Sequence, residues 1–457
     1  MFLYTLSSKT RREKRITMNK IIAFVVLLSA FVTMQGQQKN VSLTESISLG
    51  LKNSKVANIA NAQRKMASAK KNEIDGGFYP QLKLTAGYTR LSEVDPFAVS
   101  LPFAPAPIVI QDAILDNYQV KLSLSQPLFT GFKLSSLSNA AERNIDTAEA
   151  YFNKILNDEA FSITKAYWNV YKLQQAVALL KKNIEVIQKN LADSRKFYAT
   201  GLLQKNDVLK IEVREANITL KLLEAQNTLA IARADFNRFL SYPLSTEVTV
   251  SEIKASTAPS QIPDFSVALT EAFTNREEIK IFSNKIAAAE YLVDAASSGY
   301  YPSVSLNANY TYANPNSRIM PLSKEFNGTW DVGIGLSWEL WNWGTTSAQA
   351  EQSLLVKEIS KTSFENIEEM IRLEVYSDYL TFTTARQRIK VAELAVKQSE
   401  ENFQIISEKY NVQLVTGTDL IDAENSLYTS KIEYETALAD LKISEAKFFK
   451  SLGRKLY

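Results

Sequence analysis

The side chains that carry most enzymic chemistry are missing from this 457-residue chain, which has no cysteine and no histidine. Without histidine there is no imidazole general base, no Ser-His-Asp triad and no imidazole metal ligand. Without cysteine there is no thiol nucleophile, no disulfide framework, no thiolate metal site and no lipid attached through an N-terminal Cys. After the N-terminal region methionine is limited to Met66, Met320 and Met370, which gives no cluster for a soft metal. These absences point away from an enzyme and imply no cofactor and no metal.

The polar and aromatic residues that remain recur in two copies. At an offset of 212 residues Ser125 matches Ser337, Tyr167 matches Tyr379, and Tyr198 matches Tyr410. The same offset maps Asp207 onto Asp419, Glu212 onto Glu424, Phe236 onto Phe448 and Leu240 onto Leu452. Tyr79-Pro80 matches Tyr301-Pro302 at an offset of 222, so an insertion of ten residues lies between, and the proline-rich stretch 96–112 is the candidate. Two copies at so long a period indicate a duplicated half-protein rather than a solenoid.

Each copy switches periodicity in the same order. A helix comes first, over 42–77 and 266–299, each ending near glycine (Gly76-Gly77, Gly299). Two strands follow, then a very long helix, a short turn and a returning helix. The first repeat covers 37–240, with a strand hairpin about 80–129, a long helix 131–198 and a return helix 206–240. A linker over 241–264, expected to form an equatorial belt, carries Pro243, Pro259 and Pro263. The second repeat covers 265–457, with a hairpin about 302–341, a long helix 345–410 and a return helix 418–453; the chain is expected to end with it, soon after Gly453. No proline occurs between Pro127 and Pro243 or after Pro321, and no glycine interrupts 132–200 or 345–416. A helix of roughly 65 residues spans about 100 Å, longer than a compact domain and suited to a coiled coil or helical barrel. Heptad spacing agrees: Val177, Leu180, Ile184, Ile187, Leu191, Ser194 and Tyr198 alternate steps of three and four, as do Ile389, Ala392, Val396, Ser399, Phe403, Ile406 and Tyr410.

The N-terminus reads as a secretory signal over 1–36. Lys20 precedes an apolar run from Ile21 to Val32, and small or polar residues follow up to Gly36; Met18 is an alternative start. Removing this segment takes six of the 52 basic residues and one of the 49 acidic ones, leaving 46 against 48, a formal charge of −2. Nothing in that balance suggests nucleic acid.

The strand segments alternate with period two. Leu82, Leu84, Ala86 and Tyr88 are separated by Lys83, Thr85 and Gly87; Val120, Leu122 and Leu124 alternate with Lys121, Ser123 and Ser125. Val304 to Tyr312 and Trp330 to Leu340 do the same in the second copy. Strands of this length suit a tilted membrane strand, with Ser, Thr, Asn and Gly on the face toward a water-filled lumen. Aromatics gather where strands meet helices: Phe78, Tyr79, Phe129 and Phe132, then Tyr300, Tyr301, Trp341 and Trp343. Tyr79, Phe129, Tyr301, Trp341 and Trp343 are the expected interfacial girdle against outer-membrane lipid. Four strands cannot close a barrel, and an open backbone edge in lipid is costly. Two copies would supply about eight strands and a filled interior, whereas three supply about twelve and an open lumen. A homotrimer is expected.

The chain resembles the TolC-like outer-membrane efflux family (the outer membrane factors). The resemblance is carried by the duplicated halves, the two hairpins and the junctions Gln126-Pro127-Leu128-Phe129-Thr130-Gly131 and Glu339-Leu340-Trp341-Asn342-Trp343-Gly344. Tips at Tyr198 to Leu209 and at Tyr410 to Asp422 complete it. It implies a mainly α fold with membrane β: two tandem hairpin-plus-long-helix repeats, three chains forming a 12-stranded β-barrel continued by a periplasmic α-helical barrel. The location would be the outer membrane with a large periplasmic portion. The function implied is passive exit of substrates from an inner-membrane transporter (RND, ABC or similar) through a periplasmic membrane-fusion adaptor, in tripartite efflux or type I secretion. Asp419 and Asp422 fall where the family has its acidic pore constriction, with Tyr410 beside them, while Val415 stands where a basic residue is usual. Gly201, Leu202, Thr416, Gly417 and Thr418 would be the adaptor-contacting tips. The competing reading is a periplasmic coiled-coil scaffold or adaptor protein without a pore, and an alternating aromatic sheet argues against it.

Overall fold

The computed structural model describes residues 39–103, 105–251, 262–412 and 414–457. The expected signal segment 1–36 and the middle of the linker, 252–261, lie outside the described residues. The chain divides into two compact units: the described parts of Met1–Lys55 with Leu156–Glu271 and Glu374–Tyr457, and Val56–Ile155 with Ala272–Leu373.

The helices of the described residues are α1 (Leu43–Asn53), α2 (Lys55–Asp75), α3 (Lys133–Ala199), α4 (Lys205–Leu240), α5 (Phe265–Asn275), α6 (Glu277–Ser297), α7 (Thr345–Asn411) and α8 (Gly417–Ser451). The strands are β1 (Lys39–Val41), β2 (Gln81–Arg90), β3 (Phe97–Val99), β4 (Ile108–Gln111), β5 (Asp116–Phe129), β6 (Val248–Val250), β7 (Ser303–Asn314) and β8 (Asn327–Ser337). Helices α3 and α7 each run 67 residues. Neither contains proline, whose ring would clash with the preceding turn.

The first helix of each repeat is not continuous, as it was expected to be. Ser54 is extended (φ −61°, ψ 120°) between α1 and α2, and Arg276 is extended (φ −66°, ψ 134°) between α5 and α6. Both breaks follow an asparagine, Asn53 and Asn275, and they are separated by the same 222 residues as Tyr79 and Tyr301. Side chains fix the bends where propensity alone would not. Ser54 Oγ donates to Glu159 at 3.0 Å, Asn53 donates to the Leu240 carbonyl at 3.2 Å, and the buried Arg276 guanidinium pairs with Glu278 at 3.1 Å.

In the first unit β1 and β6 pair in parallel, Lys39 opposite Val248 through Val41 opposite Val250. Their buried valines join a core of Ile163, Tyr167, Trp168, Val170, Phe236 and Leu240. Tyr167 Oη donates to the Ser251 carbonyl at 3.0 Å, and burial pushes this phenol up to about 12. The linker is thereby sewn onto α3 and α4. A second cluster places Leu180, Ile187 and Leu191 of α3 against Val208, Ile211 and Ile218 of α4, so the heptad seam of α3 faces its returning partner.

The second unit carries one four-stranded antiparallel sheet of order β2-β5-β7-β8. The proline-rich insertion forms its own small antiparallel hairpin, β3 with β4. β8 ends at Ser337 rather than continuing to Leu340. Its last partner is Ser303, and Pro302 next to it has no N–H to extend the ladder.

Candidate functional site

The register of the four strands sets two unlike faces. Leu82, Leu124 and Ala308 lie in one row across the sheet with Val332; Leu84, Leu122, Tyr310 and Trp330 form the next. On the other side run the rows Lys83, Ser123, Asn309, Asp331 and Thr85, Lys121, Thr311, Thr329. Directly opposed residues point to the same face, so along these rows the even-numbered positions make one apolar surface and the odd-numbered ones a polar surface, until a register shift between Pro127 and Phe129 sets Phe129 opposite Val304. The polar face is knitted by Asn309 Nδ2 donating to Asp331 at 2.8 Å and Ser125 Oγ donating to Asn307 at 3.0 Å.

Neither face is covered. All ten residues of β2 are exposed, and Leu82, Trp330 and Ile334 are 68%, 71% and 71% exposed. A sheet in water buries one face; this one presents apolar side chains and open edges at β2 and β8, which have no further strand partner among the described residues.

Two aromatic bands bound the apolar face. At the strand–helix junctions Phe132 packs edge-on against Phe129 (5.2 Å) and Tyr301 (5.7 Å), while Trp341 meets Trp343 at 5.7 Å. Tyr79 is exposed and has no ring partner among the described residues. Both junctions turn through two successive left-handed residues, Gly131-Phe132 (φ 62° and 67°) and Trp343-Gly344 (φ 55° and 83°). Any side chain at Gly131 would meet the Ser298 carbonyl at 2.6 Å. The second band, at the loop ends of the strands, consists of Tyr88, Tyr118, Phe326 and Tyr312, with successive ring centroids 4.9, 6.0 and 5.2 Å apart. Alternation alone places Tyr88 and Tyr312 on strands but does not show this band, because Tyr118 and Phe326 complete it only once the strands are paired.

At the helix tips the two repeats diverge. Tyr198 is exposed, but Tyr410 is buried and its Oη lies 3.1 Å from Ser194 Oγ of α3. Gly201 (φ 75°) closes α3, with the Leu202 N–H donating to the Phe197 carbonyl at 2.8 Å, a Schellman-type end that leaves the Leu202 side chain exposed. Thr416 caps α8: its Oγ accepts from the Asp419 N–H at 3.2 Å and its own N–H donates to Asp419 Oδ2 at 2.8 Å. This capping box, opened by Gly417 and the exposed Thr418, holds the Asp419 carboxyl below the usual carboxylate range through the Thr416 hydroxyl and amide. Asp419 and Asp422 are both exposed, and no hydrogen bond links Gly201 or Leu202 to Thr416–Thr418 among the described residues. Val415 is partly buried and offers no charge.

One tip residue was missed. Glu424 is 1% exposed, and one carboxyl oxygen has no hydrogen-bond partner. It lines a small cavity with Ile187, Asn190, Arg214, Tyr410 and Leu420. Burial raises its carboxyl to about 7 despite the opposing Arg214 guanidinium, which burial in turn lowers. Its spacing from Leu420, Ala423 and Leu427 on one helical face was the available signal.

Similarity to known proteins agrees with this arrangement. The chain is 22% identical over 337 residues to the outer membrane efflux protein BepC of Brucella suis, covering 73% of this chain and 72% of that protein. It is 21% identical over 395 residues to the outer membrane protein TolC of Vibrio cholerae, covering 86% of each. Among solved structures, VceC of Vibrio cholerae superposes with a TM-score of 0.74 at 18% identity, over 91% of this chain and 97% of that one. CmeC of Campylobacter jejuni gives 0.74 at 16% identity, over 90% and 85%. The family described as Outer membrane efflux protein matches residues 47–240 and 268–454, one stretch in each repeat. The chain belongs to the outer membrane efflux protein family, and the outer membrane is its location.

Proposed function

We propose that three copies of the chain assemble into a single channel through which cargo leaves passively. The cargo would be handed over by an inner-membrane transporter of the RND, ABC or similar class, through a periplasmic adaptor. The observation that carries this reading is the sheet: one apolar face, one polar face and two unpaired edges. In hydrocarbon each unsatisfied edge group costs several kcal/mol, so β2 of one copy pairs with β8 of the next. Three copies give about twelve strands and leave the polar face around an aqueous lumen. Asp419 and Asp422 then form carboxylate rings at the tips, where cations are held, with Tyr410 holding the neighbouring helices. Gly201, Leu202, Thr416, Gly417 and Thr418 are the surface offered to the adaptor.

A proposed partnership with a pump draws support from relatives such as the probable efflux pump outer membrane protein TtgC of Pseudomonas putida. Native mass measurement of the detergent-solubilised protein tests the assembly, with a trimer expected and a stable monomer fatal to the proposal. A periplasmic scaffold would wash from membranes with carbonate, whereas the channel stays until detergent is added.

A further inference from the structure

We infer that the β3–β4 hairpin is an apolar gate at the loop end of the channel, closed by contact with the same hairpin of the two sister copies. The inference rests on the trimeric reading above. From Phe97 to Ile110 the sequence has no charge, and Ser100 is its one polar side chain. Phe97, Phe103 and Ile110 are 62%, 83% and 53% exposed. So large an uncharged apolar surface is not left in water.

Lipid is the wrong cover. The hairpin leaves the sheet beyond the Tyr88, Tyr118, Tyr312 and Phe326 band, and charge surrounds its base. Arg90 and Asp116 form an exposed ion pair at 2.8 Å, and Glu93, Asp95 and Asp112 are exposed on the connecting segments. Those groups belong in the aqueous layer, so the hairpin they flank is outside the hydrocarbon as well. Its base is fixed rather than loose. Gln111 Nε2 donates to the Leu322 carbonyl at 3.2 Å, and the Leu322 N–H donates back to Gln111 Oε1 at 3.2 Å, tying it to the loop between β7 and β8.

Geometry favours the sister copies as occupant. Twelve strands about 4.8 Å apart and tilted about 40° enclose a radius of about 12 Å. Strand covers Phe97–Val99 and the chain turns at Pro102-Phe103, so the arm from Phe97 to Phe103 reaches at most about 20 Å. That reach is enough for three such arms to meet at the axis. A ring of Phe103 side chains there, backed along each arm by the Val99 and Ile108 pair, excludes water and ions until passing cargo spreads the arms.

The chain has no native cysteine, so Phe103→Cys places a unique thiol on the arm. In purified, reduced and then oxidised trimers, covalent dimers are expected within particles whose native mass stays that of one trimer. Phe103→Ser combined with Ile108→Ser is expected to raise planar-bilayer conductance severalfold. A native trimer whose Phe103→Cys thiols react fully with a water-soluble maleimide, do not cross-link and leave conductance unchanged would overturn the gate, and would assign the patch to lipid or an outside partner. A cross-link with unchanged conductance in the double serine variant also overturns it. Loss of the trimer in the unmodified protein sinks the channel proposal itself, a result native mass separates from the others.

Discussion

Tyr410 of α7 and Ser194 of α3 meet hydroxyl to hydroxyl at 3.1 Å, both buried, and so join the long helices of the two repeats close to their turns. Tyr198, the repeat equivalent of Tyr410, is exposed. Among the described residues no side-chain hydrogen bond joins Tyr198 to the other repeat, so the tie is made from the second copy alone.

Removing that tie should loosen the tips. Tyr410→Phe and Ser194→Ala are each expected to cost about 1 kcal/mol, the usual net value of a hydrogen bond. The double variant should cost little more than either single one, because both delete the same contact. Denaturant midpoints check the cycle, and single-channel recordings should show longer open times in all three variants. Strict additivity would disprove the coupling.

Glu424 should make stability fall as pH rises. Its folded carboxyl titrates at about 7, above its ordinary 4.5, so the folded state binds the proton more tightly than the unfolded chain does. Stability from this group is fully present below the ordinary value and declines up to about pH 7, by up to about 3 kcal/mol. Melting the detergent-solubilised protein between pH 5 and 8 tests the slope. Glu424→Gln should flatten that part of the curve.

Asp419 has two roles that can be separated. Thr416→Ala leaves the carboxylate in place but deletes half of the capping box, and should destabilise α8 by about 1 kcal/mol while preserving cation block. Asp419→Ala with Asp422→Ala should weaken both. Planar-bilayer conductance titrated with a multivalent cation distinguishes them; an unchanged blocking profile in the double variant would remove both aspartates from the pore.

Gly131→Ala should be poorly tolerated. The position has φ 62° and a carbonyl 2.6 Å from where the new methyl would sit, whereas Gly76 has open space around it. Strain of about 1–3 kcal/mol at the junction should lower the amount of folded barrel recovered from outer membranes. Gly76→Ala serves as the control and should leave recovery unchanged.

Much of the fold was legible because its signals are long. A stretch free of proline and glycine over α3 leaves few alternatives to one helix, and alternation over β2 and β8 fixes which side chains share a face. The breaks at Ser54 and Arg276 were not legible, since no proline or glycine marks them and the bends depend on partners far along the chain, Glu159 and Leu240 for the first. The end of β8 at Ser337 was hidden for a similar reason: the proline that stops the ladder sits on the opposing strand. At the tips, Tyr410 could be picked out by its repeat and its heptad position. The repeat match could not mark Glu424 as buried, since its mate Glu212 is a part-exposed acid paired with Arg195.

The shared numbering parity of the four strands limits how these channels can change length. Inserting or deleting one residue inside β2, β7 or β8 would swap that strand's wet and greasy sides from that point onward unless a bulge took it up, as the register shift between Pro127 and Phe129 does near the end of β5. Size variation is accommodated more freely in the segments between strands. The hairpin-bearing stretch after Arg90 is one such place, where extra residues add reach at the rim and leave the wall unaltered.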